Sequence, residues 1–324
     1  MPSITTHHYF AQDVLKELPD NIKKTIKNEE LIYSTFAQSH DYLFYYTFDI
    51  KNFRRIRELG HRAHHEHTKD YLINIVKEIK NNHLENNHQV IAYLYGSVTH
   101  YCLDSTCHPY IFYKTGIYRK NNPESKKYRG EHNHMEKDLD AIYYELNTHK
   151  KYNKCNISKD IIKKPIFNKE LTNTITNVYK ETYNEDNIGI YFNKSIKHSK
   201  IILSLAVNDS LGIKRAIYKF IDFITNHHFG YIQSFSTHIL NPDLNYLNIE
   251  KKEWNHPSGK HVKYNSSFPE LYEIALQKSL NMIKTLNDVI FNNKDIKILD
   301  KVIRDVDYST GMLIKDNLRM DYFE

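Results

Sequence analysis

Nine Gly, eight Pro and three Cys among 324 residues exclude a disulfide-framed module and a turn-dense sandwich or barrel. A hydrophobic share of 40%, with 26 Tyr and 15 Phe, is enough for a sizeable core, one whose phenols need hydrogen-bond partners. The formal charge of +6 permits attraction to phosphate-bearing partners, yet the basic residues are spread along the chain, as on solvated helix surfaces, and form no single block.

From Phe10 to Lys27, the residues Phe10, Val14, Leu15, Leu18, Ile22 and Ile26 recur at three- and four-residue intervals, which predicts a helix. Leu31 to Phe48 is aromatic and apolar, interrupted by Ser39, His40 and Asp41. Arg54 to Lys80 reads as helix, with Ile56, Leu59, Ala63, Tyr71, Ile75 and Ile79 near one stripe. Val90 to Tyr113 is apolar on nearly all sides and is expected to be the buried central helix. A polar connection, Arg119 to Gly130, leads to a helix over Glu131 to Leu146. The Lys/Asn-rich stretch Asn147 to Asp160 suits a boundary or an exposed loop. Helices are then expected over Asn168 to Tyr183, Lys197 to His227 and Phe268 to Asn293, with Asn241 to Ser267 a long loop. The fold class is therefore all-α. No apolar run is long enough to cross a bilayer, and Met1 to Phe10 carry no basic-then-apolar leader pattern. A cytoplasmic protein with reduced thiols is expected.

His, Asp and Glu recur where a buried helix should be apolar. His100, Asp104 and His108 are each four residues apart, on one slowly drifting face of the central helix. An ionised Asp in such a segment is costly unless it is paired or bound to metal. His132 and Glu136 repeat the spacing, one turn apart, and can chelate one cation. The run His61 to His67 offers four imidazoles (His61, His64, His65, His67), Asp41 interrupts an aromatic run, and His7 and His8 stand near the start. Imidazoles and carboxylates without closely paired thiolates suit zinc, and also iron or manganese. Cys102 and Cys107 read as core and loop thiols.

The chain resembles the zinc-dependent phospholipase C family, in its intracellular bacterial branch. The matching segments are Thr6 to Ala11, Gln38 to Phe44, Gly60 to His64, Tyr95 to Tyr110 and His132 to Glu136, with Leu103-Asp-Ser-Thr-Cys-His-Pro-Tyr110 the most specific. Similarity continues through Tyr246 to Asn248, Trp254 to Pro257 and Ser267 to Tyr272. The resemblance implies a helical domain holding two or three zinc ions, a fold shared with secreted phospholipases C and single-strand-specific zinc nucleases. It implies His7 as the N-terminal imidazole ligand, with His8 the alternative, and Asp41 as the carboxylate beside the attacking water. It implies His64 as the next imidazole, with His65 the alternative, then His100, and Asp104 as a bridge between two metals. His108, His132 and Glu136 would hold a further zinc. Two departures stand out. Asp104 to His108 is four residues where the secreted enzymes have six. Their free N-terminal residue is also a ligand, so Met1 or Pro2 is expected not to fill that place here. On this reading residues 1–150 are the metal-binding helical core and 151–324 a helical continuation in the same globule.

Such a site predicts hydrolysis of a phosphoester, with Asp41 orienting water or acting as general base and no covalent nucleophile. The substrate class includes phospholipids and nucleotides. Tyr42, Phe44, Tyr45, Tyr101 and Tyr110 offer a wall for a head group or a base, with helix packing their simpler role. A nuclease or phosphomonoesterase on the same scaffold, and a non-catalytic metal-binding protein, are the rivals. A histidine-aspartate phosphohydrolase, suggested by His40-Asp41, fits the spacings less well.

Overall fold

The computed structural model describes residues 4–226, 228 and 230–324. Its helices are α1 (Ile4–Glu17), α2 (Asp20–Lys23), α3 (Glu30–Phe36), α4 (Phe53–His65), α5 (Thr68–Asn81), α6 (His88–Thr115), α7 (Glu131–Thr148), α8 (Lys169–Tyr183), α9 (Ile188–Ala206), α10 (Ile213–Ile224) and α11 (Phe268–Phe291). A single antiparallel hairpin, β1 (Trp254–His256) with β2 (Gly259–Tyr264), pairs Trp254 with Tyr264. Among the described residues the chain is all-α apart from this hairpin and one isolated bridge, Val306 to Leu313. No helix among the described residues is long and apolar enough to cross a membrane.

The centre is α6. The Asn87 side chain caps it by accepting from the Val90 N–H at 3.2 Å. From Val90 to Asp104 every residue is buried, as expected of a helix that is apolar all round. Helices α1, α3, α5, α7, α8 and α11 pack against it. At the α3 crossing a Cβ on Gly96 would lie 2.4 Å from the Tyr33 carbonyl oxygen, so only glycine permits this approach. Each fully buried Leu, Ile or Val along α6 contributes roughly 1.5–3 kcal/mol. One cluster of buried apolar side chains runs from Ile4 through Ile157 and Leu203 to Tyr308. Helix α11 starts with a reciprocal cap between Ser267 and Glu270.

Several elements differ from the sequence reading. The first helix ends at Glu17, before Leu18 and Pro19, and the stretch to Ile26 is two short turns. The expected helix over Arg54 to Lys80 is broken at Glu66 and His67, the latter left-handed with φ 53°. Asn147 to Asp160 is no free loop: Tyr152 and Ile157 are fully buried. The expected Lys197–His227 helix is α9 and α10, parted by Val207 to Gly212; His227 lies outside the described residues. The long loop from Asn241 contains the hairpin, whose Trp254 ring stacks on Tyr264 at 4.6 Å.

Candidate metal centre

Four elements meet around the middle of α6. Helix α1 brings His7, the short 3-10 turn Ser39–Tyr45 brings Asp41, α4 brings His64, and α6 brings His100 and Asp104. One turn further along α6, His108 meets His132 and Glu136 of α7. Ligand-type atoms of His7, Asp41, His100 and Asp104 lie within 4.8 Å of one another, and so do those of His108, His132 and Glu136.

Asp104 sits between the groups. Its carboxylate lies 2.9 Å from His7 Nε2, 3.5 Å from His100 Nε2, 3.7 Å from His108 Nδ1 and 4.0 Å from His64 Nε2. His64 Nε2 is 3.1 Å from Asp41 Oδ1, and Glu136 Oε1 is 3.1 Å from His132 Nε2 and 3.4 Å from His108 Nε2. All eight residues expected at the site are thus brought together. The neighbouring alternatives point elsewhere: His65 Nδ1 pairs with Asp307 at 2.6 Å, and His8 Nε2 with Gln12 at 2.8 Å. Met1 and Pro2 lie outside the described residues.

Backbone carbonyls set the tautomers. His64 Nδ1 lies 2.6 Å from the Gly60 oxygen, His100 Nδ1 3.2 Å from that of Ala37, and His108 Nδ1 3.3 Å from that of Tyr308. A carbonyl only accepts, so each Nδ1 carries a hydrogen and each Nε2 is left facing the cluster. Outer partners of this kind orient imidazole ligands and raise their basicity.

The interior polar atoms fit a bound cation. Both oxygens of Asp41, Oδ2 of Asp104, Oε2 of Glu136 and Nδ1 of His7 are buried without a hydrogen-bond partner. His64 Nε2 and Asp41 Oδ1 are close enough to bond but out of line for an N–H···O bond, and His64 and His100 set Nε2 against Nε2 at 3.4 Å. Buried carboxylates rarely stay unpaired. Acceptor atoms gathered this closely in two groups suit dications. The field agrees. Burial pushes Asp104 and Glu136 up, but the imidazoles facing them prevail and hold both well below the carboxylate range. Burial opposes protonation of His108, yet Asp104 and Glu136 lift it to about 9; the same contest, against Asp104 and Asp41, raises His7 and His64. The deepest ring, His100, is pushed down by burial to about 4.

Sequence reasoning missed three contributors. Asp140 of α7 is fully buried; its Oδ1 accepts from the Thr5 and Thr6 N–H groups at 3.0 and 2.9 Å, anchoring the start of α1 beside His7. Lys137 Nζ donates to its Oδ2 at 3.0 Å. The segment Asp305–Gly311 closes the cluster from the far end of the chain. The Tyr308 N–H donates to the His64 carbonyl at 2.9 Å, and its ring lies 5.4 Å from the His64 ring and 5.6 Å from His100. Pro109 leaves the Ser105 carbonyl without its helical N–H partner, and Gly311 (φ 64°) packs on that oxygen. His40, beside His64 and His100, bonds Tyr179 Oη through Nδ1 at 2.6 Å; burial and those imidazoles keep it neutral. No local signal in the sequence marks these contacts.

The expected aromatic wall is mostly core. Tyr42, Tyr45, Tyr101 and Tyr110 are buried, Tyr101 donates to the Arg304 carbonyl, and Tyr110 packs on Trp254. Phe44 alone of the five stacks on a ring of the cluster, His64. Phe112 covers His132 at 4.5 Å. Tyr45 places a hydroxyl without a hydrogen-bond partner near Asp41, and burial with that carboxylate keeps it protonated. The three cysteines are free and buried, none in either ligand group.

The arrangement can hold dications and turn a buried carboxylate, Asp41, toward them. A family model described as zinc dependent phospholipase C matches residues 6–189, more than half of the chain and all eight residues of the cluster. No curated protein and no solved structure matches the chain.

Proposed function

The chain belongs to the zinc-dependent phospholipase C family, and from that membership and the cluster's geometry we propose a zinc-dependent hydrolase that cleaves a phosphodiester with an activated water. The observation that carries the reading is the set of buried carboxylate oxygens of Asp41, Asp104 and Glu136 without hydrogen-bond partners, facing imidazoles whose Nδ1 is committed elsewhere.

His7, Asp41, His64, His100 and Asp104 would hold zinc in the inner group, and His108, His132 and Glu136 in the outer one, two or three ions in all. When bound, zinc supplies positive charge for the phosphoryl oxygens and makes water acidic enough to attack near neutral pH. The protein's own residues do the rest. Asp104, between the two groups, sets their separation. Asp41 carries two oxygens that accept from no protein donor, which suits it to orient a water and take its proton. The Gly60, Ala37 and Tyr308 carbonyls keep each ring from turning. Phe44 and Phe112 shield His64 and His132.

The test is metal analysis of protein purified without chelator, followed by a panel of phosphatidylcholine, a chromogenic diester, single-stranded nucleic acid and a monoester. Two or more zinc per chain and chelator-sensitive turnover of a diester are expected. Less than one metal per chain, with no uptake on zinc addition, would refute the metal reading. Full metal without turnover on any substrate would leave a binding protein, and turnover confined to the nucleic acid or the monoester would move the reading to those classes.

A further inference from the structure

Helix α10 is built inside out. Its apolar residues Ile213, Ala216, Ile217, Phe220, Phe223 and Ile224 recur at three- and four-residue spacing, a pattern that normally faces a core. Here they face outward: Phe223 is 79% exposed, Phe220 63% and Ile213 60%. The side turned inward is polar. Asp222, 1% exposed, accepts from the Ile232 and Gln233 N–H groups at 2.9 and 3.0 Å. Tyr218 donates to the Ala206 carbonyl and Lys214 to the Asn208 carbonyl. These bonds fix which side is out, so the exposed stripe is a property of the fold. Leu205 in the last turn of α9 and Leu211 on the connection to α10 add exposed apolar surface, at 73% and 79% exposure. Apolar surface this continuous marks a contact site.

The charge around it identifies the contact. From Ile188 to Asn226 the sequence has five Lys and one Arg against Asp209 and Asp222. Both aspartates are buried and occupied internally, Asp209 by the Arg215 N–H and the Ser236 hydroxyl. Apart from Lys214, which is turned inward, the remaining charge on α9 and α10 is therefore positive only: Lys194, Lys197, Lys200, Arg215 and Lys219. A Phe/Ile stripe with Arg215 and Lys219 on its own helix, Lys on the helix before it and no free carboxylate on either is the pattern of a helix lying in the interface of an anionic bilayer. The inward side of α10 is linked to the element that carries part of the metal centre. The turn Ile232–Phe235 joins α10 to α7, and the Gly230–Tyr231 backbone packs on Gly130 at the start of α7, which carries His132 and Glu136.

We propose that α10 docks the protein on anionic lipid membranes, with Phe220 and Phe223 inserted and the flanking Lys and Arg on the head groups. This goes beyond the hydrolase reading and does not depend on it. The test is co-sedimentation of the full chain with vesicles of phosphatidylcholine alone or of equal parts phosphatidylcholine and phosphatidylglycerol, at low and high salt. It reads binding alone, so an inactive hydrolase leaves its result unchanged. Wild type should pellet with the anionic vesicles, less with phosphatidylcholine alone and less at high salt. Phe220→Ser with Phe223→Ser should weaken binding at least roughly tenfold at an unchanged Tm, since both rings are exposed. Should that pair alter folding, Lys197→Glu with Lys219→Glu replaces it, at about fivefold or more per charge. Wild type remaining in the supernatant, or either variant pair binding as wild type does, would overturn the proposal. So would a dimer abolished by the Phe variants in a chain that ignores vesicles, which would assign the face to a second copy.

Discussion

Replacing Asp140 with Ala should unfasten the helix that carries His7. Asp140 is fully buried and receives the Thr5 and Thr6 N–H groups, the Thr6 hydroxyl at 3.2 Å and the Lys137 ammonium. Losing a helix-start acceptor costs about 1–2 kcal/mol. Stranding the buried Lys137 ammonium costs about 3–5 kcal/mol, since one member of a buried ion pair is left without its counterion. Together that is about 4–7 kcal/mol. For 324 residues at ~2.1 cal/mol/K each, the unfolding entropy is about 0.7 kcal/mol/K, so Tm should fall by about 6–10 °C. Thermal melts followed by circular dichroism, with metal content measured on the same samples, check it. Zinc should fall too, because His7 follows Thr6 directly. Asn at this position keeps an oxygen for the helix start but loses the charge facing Lys137, so it separates the two contributions. A Tm loss under about 2 °C for Asp140→Ala would refute the reasoning.

Asp104→Asn should lower zinc affinity by at least about 100-fold, more than any single His→Ala change among the cluster, because Asp104 faces four imidazoles; metal content and competition with a chelator measure it. Asp41→Asn should keep most of the metal and lose about 10²–10⁴-fold in turnover; an emptied site would instead make Asp41 a holding residue. Gly311→Ala should destabilise the protein by about 2–4 kcal/mol, combining a left-handed backbone with a Cβ 2.2 Å from the Ser105 oxygen. A Tm equal to wild type would show that Asp305–Gly311 gives way easily.

Much of the cluster is legible in the sequence because it is written in local spacing. His100, Asp104 and His108 share a face of α6 simply by being four apart, and an Asp amid apolar neighbours signals a partner. Choosing His64 over His65 needs the third dimension: the two are adjacent on α4, and only packing turns one inward and sends the other to Asp307. Asp140 and Lys137 read locally as a solvated pair three residues apart, until α1 arrives to bury them. The carbonyls that aim the rings leave no mark at all, since every residue has one. Likewise the period of α10 predicts a helix but not which side faces out; Asp222 decides that through contacts with Ile232 and Gln233.

The Tyr308 carbonyl that steadies His108 lies 200 residues after it, and the Tyr308 N–H steadies the His64 segment as well. The cluster therefore has a timetable. During synthesis His7 through Glu136 are all made while the segment that closes over them has yet to emerge. Packing that draws on contacts so distant in sequence forms slowly and leaves apolar surface open meanwhile. A nascent chain would thus carry its imidazoles and carboxylates loosely held, able to take up and exchange metal, and would tighten its grip only when Asp305–Gly311 settles on α6. A stretch made long after them would then act as the latch on a cluster whose eight candidate residues all lie between His7 and Glu136.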